Sequence, residues 1–255
     1  MRTPHLHVMG AAPKLEISQV PVHVAIVMDG NGRWAEERNR PRLYGHKAGV
    51  KSVRTVVETA REIGVRHLTL YAFSTENWKR PPLEVKGLMA LLKSYLQSEQ
   101  ETMLKNDIRL RCLGQQERLP ADVRKILDGV ISATAGCSAM TLNLALSYGS
   151  RNEIMQAVRE LAGKCVAGEL AVADLGEDLL SDHLYTRGQP DPDLFIRTSG
   201  EHRLSNFLLW QSSYAELYFT DLKWPDFGRE QFLEAVADFA CRQRRFGKTA
   251  AQLRK

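Results

Sequence analysis

The chain has 255 residues, 44% of them hydrophobic, and 35 Lys+Arg against 30 Asp+Glu give a formal net charge of +5. That length and apolar content suit a soluble α/β protein with one sizeable core, and so mild a positive charge gives no footing for a nucleic-acid partner. Four cysteines without a CxxC pair argue against a zinc site or a disulfide framework, no run reaches the ~18 apolar residues of a membrane helix, and residues 1–20 lack the apolar stretch of a signal peptide, so a cytoplasmic location is expected.

Residues 1–20, with Pro4, His5, His7 and Pro13, read as a flexible tail. Val22–Met28 is an apolar run of strand length. It ends in Asp29-Gly30-Asn31-Gly32-Arg33-Trp34, where the glycines allow a sharp turn that presents backbone N–H groups at a helix start. Such an arrangement binds phosphate, although a bare tight turn uses the same residues. Residues 30–35 also fit a loose Gly-x-Gly-x-x-Ala dinucleotide fingerprint. Asp29 argues against that fingerprint, because a carboxylate before the first glycine repels pyrophosphate unless a cation lies between them. Asp29 holding Mg2+ against a diphosphate satisfies every charge in the segment.

Farther along, His46–Ile63 has helical period and His67–Phe73 is a second strand, ending in Ser74-Thr75-Glu76-Asn77-Trp78 with Arg80 close behind. Ser74 and Asn77 could orient a substrate and Arg80 could hold a phosphate; a helix cap is the plainer alternative. Leu83–Lys105 reads as a long helix, Ile108–Leu113 as a strand, Pro120–Ala135 as a helix, Met140–Leu146 as a strand and Asn152–Lys164 as a helix. Leu194–Arg197 and Phe207–Trp210 read as further strands, and Arg229–Arg245 as the closing helix. Between those last strands stand Arg197, Glu201, His202, Arg203 and Ser205, suitable equipment for a terminal phosphate. Asp191 and Asp193 are turn chemistry before a strand. Gly247-Lys248-Thr249 is no P-loop, since Arg242 occupies the place of its first glycine.

Strand–helix alternation predicts an α/β fold, a single domain over residues 21–248 with a central, mostly parallel sheet flanked by helices and a short tail at 249–255. Ligands of such sheets sit beyond the carboxyl ends of the strands, where the three polar clusters fall. The residues alone suggest an enzyme that holds two diphosphates near one Mg2+.

The segments 23–35, 45–49, 71–81, 193–201, 203–211 and 214–219, with Trp224-Pro225, resemble the ordered signatures of the cis-prenyltransferases, closest to bacterial undecaprenyl diphosphate synthase. The likeness runs from about residue 22 to Gly247. It departs only slightly: Thr75 and Ser199 stand where Ser and Gly are frequent. The resemblance implies a homodimer with a hydrophobic tunnel under the sheet's active end. It implies sequential cis-condensation of isopentenyl diphosphate onto an allylic diphosphate, usually farnesyl diphosphate. In bacterial members the product is undecaprenyl diphosphate, the lipid carrier of cell-wall sugars, and contact with the membrane would be peripheral, through that product.

Roles implied by the resemblance follow position. Asp29 would hold Mg2+ and promote departure of the allylic diphosphate, with Glu216 completing the metal site. Gly30, Asn31, Gly32, Arg33, Arg42 and His46 would bind that diphosphate, and Trp34 would lie at the pocket. Asn77 occupies the proton-acceptor position, yet a neutral amide is a poor base and would position the proton while released diphosphate takes it. Ser74, Thr75, Glu76, Trp78 and Arg80 complete the substrate region; Arg197, Arg203, Leu204 and Ser205 would grip isopentenyl diphosphate. Ala72, on the face of Leu68 and Leu70, and Met140, on that of Leu142 and Leu144, would stand around the tunnel, with Leu88, Met89, Leu92 and Leu96 as another wall. Two other readings stay open: a non-catalytic partner subunit on the same fold, and a dinucleotide-binding oxidoreductase.

Overall fold

The computed structural model describes residues 20–244; the expected tail at 249–255, and all but the last residue of the one at 1–20, lie outside the described residues. Strand β1 (His23–Val27) leads through α1 (Asn31–Glu36) and α2 (Arg42–Ile63) into β2 (His67–Ser74). Helix α3 (Pro82–Lys105) precedes β3 (Ile108–Leu113), α4 (Ala121–Ala133), β4 (Met140–Tyr148) and α5 (Ser150–Val166). A short helix α6 (Glu177–Asp182), strands β5 (Leu194–Arg197) and β6 (Glu216–Phe219), and α7 (Arg229–Ala240) close the described chain.

The six strands form one all-parallel sheet in the order β3-β4-β2-β1-β5-β6. All five residues of β1 are buried, as expected for a central strand covered on both faces. One face carries the larger core, in which Val24, Ile26, Leu68, Leu70, Leu142 and Leu144 meet side chains of α2, α3, α4 and α7. The other carries a smaller cluster around Ala25, Val27, Ala145, Phe195 and Phe207. Chain order reverses at β1, whose neighbours are β2 and β5, and the crevice beyond such a switch point is where open sheets take ligands. Among the described residues no helix is long and apolar enough to cross a membrane.

Several expected elements shift. Phe207–Trp210 is no strand: Ser205, Asn206 and Leu208 have positive φ (51°, 61° and 45°), which breaks extended backbone into turns. Phe207 and Leu208 are buried by packing, with Phe207 stacked on Tyr71 at 4.4 Å. The sixth strand is Glu216–Phe219, whose half-exposed edge position removes the continuous apolar signal. The closing helix stops at Ala240, and α2 begins at Arg42, one turn before His46, behind Pro41.

The second face also buries a polar chain. His23 Nδ1 lies 2.7 Å from the Pro190 carbonyl, an acceptor, so Nδ1 carries the proton and Nε2 accepts from the Thr69 hydroxyl at 2.7 Å. Thr69 in turn accepts from Asn143 Nδ2 at 2.9 Å. Burial drives the His23 pKa down to about 4, which keeps this ring neutral.

Candidate active site

Asp29 follows β1 at the switch point. Its backbone N–H donates to Thr198 Oγ1 (2.9 Å), and the Thr198 hydroxyl donates back to the Asp29 carbonyl (2.7 Å), tying the ends of β1 and β5 together. The carboxylate accepts from Gly30 N–H at 2.7 Å and from Arg197 Nη2 at 2.9 Å, with Arg33 Nη2 at 3.3 Å. Burial alone would raise its pKa; the Arg197 and Gly30 hydrogen bonds and the Arg33 charge outweigh it and hold the carboxyl below its ordinary value.

Gly30 has φ of +97°, and a Cβ there would fall 2.6 Å from Ser199 Oγ, so glycine is required twice over. Gly32 lets the Arg42 guanidinium lie over the turn, since its Cβ would come 2.4 Å from Arg42 Cζ. Arg42 is paired with Glu36 at 2.7 Å and Glu84 at 3.7 Å. Asn31 donates to the Met28 carbonyl at 3.1 Å, while its buried Oδ1 has no partner. His46 also carries a buried, unpartnered Nε2; burial, then the charges of Arg80 and Arg42, push its pKa down to about 4.

From β5, Arg197 is 3% exposed and donates to Ser205 Oγ at 2.6 Å and to the Arg203 carbonyl, while its buried Nε has no partner. Arg203 is outside, paired with Glu201, which also meets Arg33 at 3.1 Å. At the end of β2, Ser74 caps a short turn of 3-10 helix, Thr75–Lys79, and its N–H donates to Asn77 Oδ1 at 3.1 Å. That bond sets the amide orientation: the oxygen faces the cap, and the N–H groups are the donors free to address a ligand. The cap expected as the plainer reading is therefore real, and it is what positions Asn77.

One cavity of about 600 Å³ gathers these groups. Asp29, Asn31, His46, Arg80, Arg197 and Ser205 line its polar end, together with Ser74, Glu76 and Asn77. Its body is apolar, built from Val50 and Val53 of α2, Leu88, Leu92 and Tyr95 of α3, and Leu70, Leu144 and Leu146 of the sheet. Ala72 lines it too, although not by simple alternation: the β2–β4 register slips between Tyr71 and Phe73, so Ala72 stands at an irregularity. Met140 does not line it; it is 1% exposed in the core, at the opposite end of β4 across from Ile108.

Other expected site residues stand around this cavity. Trp34 is held outside by Asp226 (2.8 Å), with Arg38 over its ring at 3.9 Å and Tyr44 stacked at 6.1 Å. Trp78 packs on Phe73 at 4.8 Å and donates to Ser147 at 2.9 Å. Thr75 donates to Glu76, and Leu204 packs against the smaller core cluster. Asn206, which lines the cavity and donates to Glu76 at 3.0 Å, and Thr198, which clamps Asp29, went unnoticed in the sequence because turn residues of these types are commonplace.

Within one chain Glu216 stands apart from the cavity. It begins β6 opposite Leu194, which lies opposite Val24, so it sits at the far end of the sheet from Asp29. At ~3.3 Å per residue the offset along the strands is roughly 16 Å, beyond any shared ion within one chain. Glu216 instead pairs with Arg242 at 3.1 Å. No cluster of three or more acidic, His or Cys ligands occurs among the described residues. The donor set at Asp29, one carboxylate among arginines, suits an Mg2+ ion that brings phosphate oxygens with it rather than an all-protein cage.

The comparisons agree with this geometry. Residues 27–247 match a family model described as "Putative undecaprenyl diphosphate synthase". The chain is 51% identical over 235 residues to an isoprenyl transferase of Geobacter sulfurreducens, covering 92% of this chain and 96% of that protein. It is 48% identical over 241 residues to a ditrans,polycis-undecaprenyl-diphosphate synthase, (2E,6E)-farnesyl-diphosphate specific, of Shewanella oneidensis, covering 94% and 88%. Among solved structures, lavandulyl diphosphate synthase from Lavandula x intermedia, in complex with dimethylallyl diphosphate, superposes with a TM-score of 0.89 at 36% identity, covering 91% of this chain and all of that one. With a parallel sheet, a cationic switch point and an apolar cavity beneath it, the chain belongs to the undecaprenyl diphosphate synthase family of cis-prenyltransferases and is a prenyltransferase.

Proposed function

We propose that the enzyme adds isopentenyl diphosphate repeatedly, in cis, to an allylic diphosphate, farnesyl diphosphate, and so makes undecaprenyl diphosphate as a carrier for cell-wall sugars. The observation that carries this reading is a cavity with cationic donors at one end and hydrocarbon walls along the rest. A substrate with a diphosphate head and an isoprenoid tail matches both ends at once.

In each cycle the allylic carbon–oxygen bond breaks and the diphosphate leaves with the bonding pair. The isopentenyl double bond supplies the electrons of the new carbon–carbon bond, and loss of a proton restores a double bond. The N–H groups of Asn31 and Gly32, in the turn that Gly30 opens, and the side chains of Arg42 and His46 address the allylic diphosphate. Arg197, Arg203 and Ser205 address the isopentenyl diphosphate. His46, neutral at physiological pH, offers an imidazole hydrogen bond rather than a charge. Asn77 donates to a diphosphate oxygen and places that oxygen to receive the proton, since a neutral amide is itself a poor base. Mg2+ bound at Asp29 would neutralise charge on the departing diphosphate.

We read the working unit as a cytoplasmic homodimer. Purified protein supplied with labelled isopentenyl diphosphate, farnesyl diphosphate and Mg2+ should form polyprenyl diphosphate, and chelation should stop it without unfolding the protein. Absence of any lipid product under these conditions rejects the reading, as would turnover that persists after chelation for the role of the metal.

A further inference from the structure

The second face of the sheet collects positive charge at the end away from the active site. Arg109 and Arg111 alternate along β3 with the core residues Ile108 and Leu110, so they stand on the opposite face from the larger core. Thr141, between Met140 and Leu142, and His67, beside Leu68, share that face by the same alternation. Register sets Arg109 beside Thr141 and Thr141 beside His67, one row across three strands. Adjacent strands lie ~4.8 Å apart, so Arg109 and His67 flank the Thr141 hydroxyl within reach of one small ligand. The row continues to His23 at the start of β1, and ~13 Å of strand separates His23 from Val27, beyond which Asp29 stands.

Charge pairing holds elsewhere and fails here. Arg33, Arg42, Arg54, Arg80 and Arg197 each meet a carboxylate. Among the described residues, no acidic side chain forms an ion pair with Arg66, Arg109, Arg111 or Arg187. These groups are nonetheless close together. Arg111 lies against the Tyr185 and Arg187 carbonyls at 3.3 and 3.5 Å; burial lowers its pKa, and the charges of Arg187 and Arg109 lower it further. His67 donates to Gln189 Oε1 at 2.9 Å, and the charges of Arg66 and Arg111 join burial in lowering its pKa against that bond. Asp191, near in sequence, does not compensate this cluster, since burial alone raises its pKa.

Guanidinium groups stay protonated at physiological pH, so four of them gathered without counter-charge repel one another. An anion with several oxygens relieves that repulsion, and the forked N–H groups of arginine match phosphate. We propose that this face is a second anion site, which takes a phosphate group between Arg109, Arg111 and His67. Thr141 forms its floor, and Arg66 and Arg187 stand at its rim. The group arrives either as free phosphate or diphosphate, or as the headgroup of an anionic lipid. Its binding is independent of the condensation chemistry at Asp29, which lies at the other end of the strands.

The ring protons of His67, assigned in the NMR spectrum by their loss in His67→Gln, report on this site in the full-length enzyme. Sodium diphosphate should move them saturably, while sodium chloride at equal ionic strength should not. The double variant Arg109→Glu/Arg187→Glu reverses two exposed charges and should weaken that response at least tenfold. Its melting temperature should not fall, because repulsion around Arg111 is relieved, and kcat and KM for both substrates should keep their wild-type values. In a second arm the enzyme is sedimented with phosphatidylglycerol vesicles, with phosphatidylcholine vesicles as the control. Binding to phosphatidylglycerol that the double variant loses assigns the phosphate to a lipid headgroup. A diphosphate response without vesicle binding assigns it to a soluble ligand. The proposal is overturned if neither probe binds, or if binding survives undiminished in the double variant. A fall in kcat that tracks the loss of binding would also overturn it, by placing these arginines in the catalytic centre.

Discussion

Two arginines that look alike in sequence do different work. The Arg203 side chain is exposed and pairs with Glu201, whereas Arg197 is buried and holds Asp29, Ser205 and the Arg203 carbonyl. Arg203→Ala should raise KM for isopentenyl diphosphate by roughly 10- to 150-fold, the equivalent of about 1.5–3 kcal/mol for one charge-assisted hydrogen bond, with little change in kcat. Arg197→Ala should lower kcat as well, because Asp29 loses the partner that orients it; steady-state kinetics with each substrate varied separates the two. His23 makes a second residue-scale prediction. Its pKa falls from 6.5 unfolded to about 4 folded because burial disfavours the charged ring. The unfolded chain therefore binds more protons between those values, and stability present above pH 6.5 is lost as pH falls toward 4, on the order of 3 kcal/mol in all. Protonation would also place an Nε2–H against the Thr69 hydroxyl, whose own proton then has no acceptor. Urea unfolding at stepped pH should show this slope in the wild type and a shallower one in His23→Gln.

At the scale of elements, the site depends on how closely α1 approaches α2. A Cβ on Gly45 would fall 1.8 Å from the Asn31 carbonyl oxygen, a backbone atom that cannot step aside. Gly45→Ala should therefore push the two helices apart, cost about 1–3 kcal/mol, and carry the Gly30–Gly32 turn away from Arg42. Thermal melts should show the first effect, and a rise in KM for the allylic substrate larger than that for isopentenyl diphosphate the second. Gly129, on the exposed part of α4, meets nothing within 4 Å, so Gly129→Ala is the matched control and should leave both quantities unimpaired.

The whole molecule decides whether Glu216 belongs to the chemistry. Within one chain it stands at the wrong end of the sheet, so a shared role with Asp29 requires a second copy. Asp29→Ala and Glu216→Ala should each be inactive alone if both carboxylates serve one centre across a homodimer. Mixed dimers, formed by refolding the two variants together, would then contain one intact centre and regain activity. No recovery in mixtures shown to contain heterodimers would leave Glu216 to its ion pair with Arg242.

Much of this protein was written locally. A buried parallel strand is an apolar run and a surface helix keeps its period, so β1 to β5 and the longer helices were legible from residue types alone, as were the polar clusters at three strand ends. What failed were segments whose character depends on neighbours far along the chain. Phe207–Trp210 has strand-like residues but is turned by positive φ at Ser205, Asn206 and Leu208, and the edge strand Glu216–Phe219 lacks a buried face to mark it. Ala72 kept its place on the cavity wall while Met140 did not, because a slip of register and the depth of the cavity floor are properties of packed strands and helices, not of alternation. The sequence by itself determined the parallel sheet, the cationic strand ends and the family. Only the tertiary structure decided which carboxylates can meet and which apolar residues line the cavity, since both depend on register and packing between residues far apart in the chain.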